Sequence, residues 1–335
     1  MKTLVTGARG FLGRSIIRRL TRDGIAVRAL VRPGQSLDEA VSEVVEGDVC
    51  DEASVAAALR GVDSVVHAAA RVATTGPWEA FAEANVRATR RIIRLAQAAG
   101  VGRIVYISSL SVYAVPYDGV TITEDSPYES ESDARGHYSR SKLAADRIAL
   151  YEARRGAPVV VLRPGLLYGP GKRPPAARQS FNVGGFKLTL ARPDYVLPLA
   201  YVDNVADAVL LALRSDTAIG QAFTIVDENV RQRAHLVAYR HAAAEHWRPV
   251  FLPVGMVAAG AAVLERTLRL ARRRSPVSSH QVRRATQSAW YDCGRAERVL
   301  GWHPAVSVQE GLQRAFDSLR ESSSVGTPLA ASAGP

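Results

Sequence analysis

The sequence predicts a doubly wound α/β domain, a parallel sheet with helices on both faces, and three observations support this prediction. Short segments rich in Val and Ile alternate with longer segments of helical period through the first half of the chain. The short segments are apolar on both faces, which is typical of strands buried in a parallel sheet. A glycine-rich turn joins the first of these strands to the first helix.

The hydrophobic pattern also predicts the positions of the elements. The expected strands are Lys2–Thr6, Ala26–Val31, Ser42–Glu46, Ser64–Ala68, Arg103–Ile107 and Pro158–Leu162. The helices between them include Leu12–Arg22 and Trp78–Ala99, and the second of these is expected to end before Gly100.

The glycine-rich turn "TGARGFLG" carries glycines at Gly7, Gly10 and Gly13. Glycines permit a tight turn and let the backbone approach a pyrophosphate, which binds to free N–H groups at the start of the next helix. The spacing is GxxGxxG rather than GxGxxG, but its place between the first strand and the first helix is that of a dinucleotide site. The turn, including Phe11 and Leu12, therefore predicts binding of a nicotinamide dinucleotide by a Rossmann fold.

The residues after the second strand favour NADP, with NAD as the alternative cofactor. A dinucleotide site usually has an acid about 20 residues after the glycines, where it holds the ribose hydroxyls. Here Arg32 stands 19 residues after Gly13, and the next acids are Asp38 and Glu39. A guanidinium can pair with a 2′-phosphate and stack on adenine, and Arg9 adds a second positive charge. The competing interpretation is that both arginines belong only to the surface charge.

The segment "HYSRSK" contains candidate catalytic residues, Tyr138 and Lys142. Their spacing of four places both side chains on one face of a helix, one turn apart. A phenol has an ordinary pKa near 10, and a neighbouring ammonium lowers that pKa toward the working range of an acid–base catalyst. A lone YxxxK pair is common by chance. The strand end "VYISSLSVY" gives it weight, because it places Ser109 as a hydroxyl donor to a substrate oxygen.

The pattern becomes less regular after residue 165. Gly165–Arg178 is rich in Gly, Pro and basic residues and is expected to leave the sheet as a loop. A helix at Val202–Leu213 and a strand at Phe223–Val226 are expected to return to it. The predicted division is a dinucleotide-binding core at 1–165 with returning elements at about 195–227, a substrate-binding cap at 166–194 and 228–320, and a disordered tail at 321–335.

Over nearly its whole length, the chain resembles the extended short-chain dehydrogenase/reductase superfamily, also described as the NAD(P)-dependent epimerase/dehydratase family. The matching segments, in order, are "TGARGFLG", "EGDV", "VVHAAA", "ANVRAT", "SSLSVY", "YSRSK", "LRPGLLYGPG", "YVDNVADA" and "LGWHPAVSVQEGL". The "LRP" form, "GPWEAFAEANV" and the apolar stretch 249–264 are most similar to the 3β-hydroxysteroid dehydrogenase and ketone reductase branch.

The resemblance implies roles for individual residues. Ser109, Tyr138 and Lys142 would form the catalytic triad of hydride transfer. Tyr138 and Lys142 would also contact the cofactor, and Lys142 would hold the nicotinamide ribose. The implied cofactor contacts are Asp48 with the adenine amine, Val49 with the adenine ring, Ala68, Ala69 and Ala70 with the pyrophosphate and ribose, and Pro164 with the nicotinamide. Structural roles are implied for Asn85, Asp203 and Asn204.

Two departures from the family pattern narrow the substrate. Sugar-nucleotide dehydratases of the superfamily carry an Asp–Glu pair after the catalytic hydroxyl residue, where this chain has Leu110 and Ser111. Epimerases often have an Asn in the segment where this chain has Gly165 followed by two leucines. The resemblance therefore implies an oxidoreductase whose small-molecule substrate is a ketone or secondary alcohol in a mainly apolar pocket.

Two alternatives stay open. A nucleotide-sugar epimerase or reductase is one, because the basic stretch Lys172–Arg178 offers charges for a diphosphate. A non-catalytic, NADP-binding redox-sensing regulator is the other, although such relatives usually lack the tyrosine–lysine pair.

The charge of the chain bears on its partners. Forty-three Lys and Arg residues against 32 Asp and Glu residues give a net charge of +11, which favours anionic partners. Neither zinc-finger spacing nor aromatic residues among basic ones support nucleic-acid binding, so no nucleic-acid partner is expected. The uncharged stretch 249–264 is shorter than a membrane span and is predicted to be a core or pocket-lining helix. The alternative is contact with a membrane surface through Arg272, Arg273 and Arg274.

The remaining expectations concern environment and assembly. Cys50 and Cys293 cannot form a disulfide framework, and no secretory signal is recognised, so a cytoplasmic location is expected. No metal site is predicted, because His241 and His246 are five residues apart and miss the i, i+4 spacing of a helical zinc pair. Many members of the superfamily dimerise through a four-helix contact, so the resemblance implies a homodimer.

Overall fold

The structure is a computed structural model that describes residues 1–73, 75–130, 136–176, 180–189, 192–270 and 287–324. The strands in chain order are β1 (Lys2–Thr6), β2 (Ala26–Val31), β3 (Glu43–Glu46), β4 (Ser64–His67), β5 (Arg103–Ile107), β6 (Val120–Ile122), β7 (Val159–Pro164), β8 (Leu166–Tyr168), β9 (Ser180–Val183), β10 (Phe186–Thr189), β11 (Val196–Tyr201), β12 (Ala222–Ile225), β13 (Glu228–Arg231), β14 (Arg248–Phe251) and β15 (Ala289–Tyr291). The α-helices are α1 (Phe11–Arg22), α2 (Glu52–Leu59), α3 (Trp78–Phe81), α4 (Ala88–Ala98), α5 (His137–Arg154), α6 (Val202–Arg214), α7 (Gln232–Ala243), α8 (Val254–Leu270) and α9 (Val308–Ser324).

Seven strands form the main sheet in the order β12-β7-β5-β4-β1-β2-β3. All of their pairings are parallel. This confirms the predicted doubly wound parallel sheet. The predicted bounds of β1, β2 and β5 match the observed ones, and those of β3, β4, β7 and β12 differ by one or two residues, for example at β7, which continues to Pro164.

Two hydrophobic layers cover the main sheet because its strands are apolar on both faces. On one face, Ile16 and Ile17 of α1 pack with Val209 of α6. On the other face, Ile92 of α4 and Ala149 of α5 pack with residues of α2. All five of these side chains are buried.

The predicted helix at Trp78–Ala99 contains an irregularity. A π-helical segment, Ala82–Arg87, lies between α3 and α4. Such segments hold one extra residue within a helix and are frequent at functional sites. A second π-helical segment covers Ala296–Leu300.

Two three-stranded sheets, β14-β10-β9 and β13-β11-β8, lie outside the main sheet. The prediction of a loop over Gly165–Arg178 is wrong at its start, because β8 forms there and pairs with β11. Residues 195–227 were expected to return to the main sheet. Of the two described strands in this range, β12 joins the main sheet and β11 does not. Gly165 allows this arrangement, since a Cβ atom on it would lie 2.4 Å from the Pro198 carbonyl oxygen. The close approach brings β8 alongside β11.

The apolar stretch near residue 254 forms α8, whose environment differs from the prediction. Met256 is 70% exposed and Val263 is 64% exposed, whereas Ala258 is buried. The expectation of a core or pocket-lining helix is therefore wrong for the exposed face, because a run of apolar residues does not reveal what covers it. Among the described helices, none has both the length and the apolar character needed to cross a membrane. Arg272–Arg274 lie outside the described residues.

The C-terminal helix is longer than the sequence predicts. Helix α9 continues to Ser324, so the first residues of the predicted disordered tail are helical. The rest of that tail, 325–335, lies outside the described residues.

A buried ion pair joins α5 to β7. Asp146 and Arg163 are 0% and 1% exposed, and Oδ2 lies 2.6 Å from Nη2. Arg163 Nε also donates to Asp146 Oδ1, and the hydroxyls of Ser108 and Tyr128 donate to the same carboxylate. Arg163 Nη1 donates to the Tyr113 hydroxyl at 2.7 Å. Such a pair is stable only when further hydrogen bonds satisfy both charges, as they do here.

We predict that Asp146→Asn lowers the free energy of unfolding by about 3–5 kcal/mol, because it leaves the Arg163 guanidinium buried without a counter-charge. The matched control is Asp317→Asn, which breaks a pair with Arg320 whose side chains are both 49% exposed. That variant should unfold at nearly the same urea concentration as the wild type, because exposed ion pairs contribute little to stability. Urea denaturation measures both values, and a similarly small loss in the two variants would contradict the prediction.

Candidate active site

The predicted site residues follow strand ends at one edge of the main sheet. Because the strands are parallel, their carboxyl ends meet at that edge, where open α/β sheets bind ligands. The glycine-rich turn follows β1, Arg32 follows β2, and Asp48 lies two residues after β3. The segment Ala68–Ala70 follows β4, Ser109 lies two residues after β5, and Pro164 ends β7. The structure therefore places these residues at a common edge.

The glycine-rich turn is packed backbone against backbone. A Cβ atom on Gly13 would lie 2.1 Å from the Gly7 carbonyl oxygen, and one on Gly7 would lie 2.6 Å from the Ala69 nitrogen. Gly7 also has a φ of +71°, which glycine adopts without strain. Gly10 precedes α1 without a side chain to cap it, so the first N–H groups of the helix stay available to an anion. These features fit the pyrophosphate of a dinucleotide.

The neighbouring residues complete this part of the edge. The N–H of Ala69 donates to the Thr6 hydroxyl at 3.3 Å, which holds the segment after β4 against the turn. Phe11 is partly buried, and Leu12 is only 7% exposed because its side chain packs into the core. Leu12 therefore offers a ligand its backbone rather than its side chain.

The far end of the edge, beyond β2 and β3, carries the predicted adenosine contacts. The Arg32 side chain is 73% exposed, and its Nε atom lies 3.9 Å from Asp48 Oδ2. Asp48 Oδ1 accepts a hydrogen bond from the N–H of Cys50 at 2.8 Å. Arg9 is exposed, and Val49 packs partly against the core. Both guanidinium groups are accessible to a ligand in this arrangement.

Tyr138 lies in the first turn of α5, beside Ser109. Burial raises the pKa of the Tyr138 phenol, and a hydrogen bond with the Ser109 hydroxyl partly offsets this increase. The phenol is therefore protonated at neutral pH. Ser109 Oγ also accepts the N–H of Ser111 at 3.2 Å, which fixes the orientation of the serine.

Lys142 is one helical turn further along α5, and it is 4% exposed. Its Nζ donates to the Ile107 carbonyl at the end of β5, 2.7 Å away. Burial lowers the pKa of Lys142 to about 8, against the opposing effect of the Asp146 carboxylate. The ammonium thus carries its charge at neutral pH but holds its proton less tightly than an exposed lysine.

The residues expected to be structural make structural contacts. Asn85, in the π-helical segment, accepts the N–H of Arg71 at 2.6 Å and donates to Ser141 Oγ at 2.8 Å. It thereby joins the segment after β4 to α5. Asp203 accepts a hydrogen bond from Ser15, and Asn204 bonds to the backbone of Val306. The last two link α1, α6 and the C-terminal segment.

Three buried polar residues near the site are absent from the sequence predictions. His67 bonds to Thr6 at 2.8 Å and to Thr89 at 3.0 Å, and burial lowers its pKa to about 3. It is neutral at physiological pH. The other two are Asp146 and Arg163. The sequence carries a signal for each of them. Arg163 is a charged residue directly after the apolar segment Pro158–Leu162, and Asp146 is an acid four residues after Lys142.

Comparisons with known proteins identify the family of the chain. Residues 3–225 match the NAD dependent epimerase/dehydratase family. The chain is 30% identical over 327 residues to the 2-alkyl-3-oxoalkanoate reductase of Stenotrophomonas maltophilia, covering 94% of this chain and 98% of that protein. It is 26% identical over 340 residues to the decarboxylating sterol-4-alpha-carboxylate 3-dehydrogenase of Bos taurus, covering 95% and 93%.

A solved structure shows the same fold. The crystal structure of the protein gox2253 superposes with a TM-score of 0.83 at 27% identity, covering 95% of this chain and 98% of that one. The family match spans more than half of the chain, and the relatives match almost all of it. The resemblance predicted from the sequence is confirmed. The chain belongs to the NAD-dependent epimerase/dehydratase family of extended short-chain dehydrogenases/reductases, and it is an NAD(P)-dependent oxidoreductase.

Proposed function

We propose that this oxidoreductase transfers a hydride between NADP(H) and a ketone or secondary alcohol, with Tyr138 as the acid–base catalyst. The observation that supports this most directly is the arrangement of three side chains. The Ser109 hydroxyl is near enough to the Tyr138 phenol to lower its pKa, and Lys142 lies one turn further along the same helix. A regulator that only binds the dinucleotide would have no need of this arrangement.

The nicotinamide, when bound, supplies or accepts the hydride. In the reduction, Tyr138 donates its proton to the carbonyl oxygen, and its buried, protonated phenol is suited to this step. Ser109 donates a hydrogen bond to the same oxygen. The Lys142 ammonium stabilises the phenolate that remains, and its pKa of about 8 means that this charge is lost as the pH rises above 8.

The substrate that we propose is a 3-oxo or 3-hydroxy carboxylate with a hydrophobic body. The names of the two relatives describe a 2-alkyl-3-oxoalkanoate and a sterol 4-alpha-carboxylate oxidised at carbon 3. In both, the carboxylate is attached to the carbon next to the reacting carbon. On this chain, Val72 and Leu166 follow β4 and β7 at the site edge and are 76% and 42% exposed. They offer apolar contacts to such a body.

A nucleotide sugar is less well supported as the substrate. The segment in which epimerases of the family often carry an asparagine has Gly165 and two leucines here, and none of these side chains can hydrogen-bond to a sugar diphosphate. A preference for NADP is supported by the exposed guanidinium groups of Arg9 and Arg32, which can pair with a 2′-phosphate.

We predict that Tyr138→Phe lowers turnover of a 2-alkyl-3-oxoalkanoate by about 10²–10⁴, because the general acid is lost while the ring remains. NADPH affinity, measured by fluorescence titration, should stay within about twofold of the wild type because the phenol does not hold the cofactor's phosphates. The matched control is Tyr151→Phe on the same helix, where the residue is 53% exposed. Undiminished turnover in Tyr138→Phe would contradict the mechanism, and turnover of nucleotide sugars instead of the oxo acid would contradict the substrate.

We predict that Lys142→Met abolishes most of the turnover yet leaves the fold as stable as the wild type or more stable. The lowered pKa means that the folded protein holds this proton less tightly than the unfolded chain, so the ammonium destabilises the fold below pH 8. The shift from 10.5 to about 8 corresponds to about 3 kcal/mol. The lost hydrogen bond to Ile107 offsets about 1 kcal/mol of this. Urea denaturation at pH 7 should show a gain of about 1–2 kcal/mol, whereas a loss of similar size would refute the prediction.

We predict that Arg32→Gln weakens NADPH binding by roughly 10- to 100-fold and changes NADH binding little, because a hydrogen-bonded charge on the 2′-phosphate contributes about 1.5–3 kcal/mol. Isothermal titration calorimetry measures both affinities. Arg18→Gln removes an equal charge nearby, since Arg18 is 52% exposed and pairs with Glu39. It should bind both cofactors normally. Equal weakening of NADPH and NADH in Arg32→Gln would argue against the assignment.

A further inference from the structure

The turn from Gly169 to Lys172 follows β8 and belongs to the predicted cap. The N–H of Lys172 donates to the Gly169 carbonyl at 3.2 Å. Pro170 occupies the second position, and Gly171, with a φ of +80°, occupies the third. This is the residue pattern of a type II turn, in which proline and glycine set the backbone before any tertiary contact forms.

The turn is packed against the start of α1 and of α6. A Cβ atom on Gly169 would lie 2.7 Å from Val202 Cγ1, 3.3 Å from the Tyr201 ring and 3.5 Å from Phe11 Cζ. Only a glycine allows this contact. Since the local sequence defines the turn and the neighbouring side chains confine it, the direction in which Lys172 leaves it is also restricted.

Lys172 extends over the glycine-rich turn. Its Nζ lies 5.3 Å from the centre of the Phe11 ring, and Phe11 is the first residue of α1. Lys172 is exposed, yet the neighbouring protein atoms lower the pKa of its ammonium, and within the described part of the chain no carboxylate offsets this effect. An anion at the start of α1 would supply the missing counter-charge.

The next basic residue has a different environment. Arg173 Nε donates to the Tyr239 hydroxyl at 3.0 Å, and its guanidinium pairs with Glu245. Its charge is therefore neutralised within the cap. Of these two neighbouring cations, it is Lys172 that contacts the glycine-rich turn.

We propose that Lys172 is a cofactor-binding residue whose ammonium binds the pyrophosphate of the dinucleotide, together with the N–H groups at the start of α1. The cap then contacts the cofactor directly. This inference depends on the dinucleotide site and not on the substrate or the acid–base chemistry proposed above, so binding measurements test it separately from turnover.

The test compares two ligands that differ in the pyrophosphate. The first is NADPH or NADH, whichever of the two the wild type binds more tightly. The second is its fragment without the pyrophosphate, which is adenosine 2′-phosphate for NADPH or adenosine for NADH. In Lys172→Gln, we expect the dinucleotide to bind about tenfold more weakly, which corresponds to about 1.4 kcal/mol. The fragment should bind as it does to the wild type, and Lys172→Arg should keep most of the dinucleotide affinity.

Arg173→Gln is the matched control, because it removes the same charge from the adjacent position and should leave the dinucleotide affinity unchanged. Equal weakening of dinucleotide and fragment in Lys172→Gln would overturn the proposal, since it would indicate a long-range charge effect. Unchanged dinucleotide affinity would also overturn it, including the case in which only the KM of the oxo acid rises. Thermal unfolding without ligand checks that each variant is folded.

Discussion

The ion pair between Asp146 and Arg163 is the interaction on which the geometry of the site depends. Three groups of this network are close in sequence to a residue of the candidate site. Arg163 precedes Pro164, Ser108 precedes Ser109, and Asp146 is one helical turn from Lys142. A displacement of any one element would leave a charge or hydroxyl unsatisfied in a buried place, which is strongly unfavourable. The network therefore holds β5, β7 and α5 in one relative position.

The same carboxylate also affects the chemistry of the site. Burial alone would lower the pKa of Lys142 further, and the negative charge of Asp146 raises it again. With the resulting pKa of about 8, the ammonium is charged at neutral pH but binds its proton less tightly than a lysine in water. Burial raises the pKa of Tyr138, and the Ser109 hydroxyl partly offsets the increase. Two consecutive turns of α5 therefore carry a neutral acid, Tyr138, and a cation with a lowered pKa, Lys142.

The sequence was sufficient to predict the parallel main sheet and to place several candidate site residues directly after its strands. Apolar strands and a glycine-rich turn are local signals, and in a parallel sheet each strand end leads to the same edge. Contacts between segments that are distant in the chain could not be predicted from the sequence. Three such contacts are the pairing of β8 with β11, the ion pair between Asp146 and Arg163, and the contact of Lys172 with Phe11. In each, the local sequence pattern of one residue does not indicate which residue is its partner. The exposed face of α8 was mispredicted for a related reason, since hydrophobicity indicates a tendency to be covered and not the cover itself.

Because of the π-helical segment Ala82–Arg87, the orientation of Asn85 depends on the number of residues in its helix as well as on their identity. The extra residue changes the angular position of every side chain that follows it. Asn85 lies within the segment and holds both Arg71, after β4, and Ser141, beside Lys142. An α-helix advances by about 100° per residue. Insertion or deletion of a single residue between Trp78 and Asn85 would therefore turn Asn85 away from its partners, so this region tolerates substitutions more readily than changes in length.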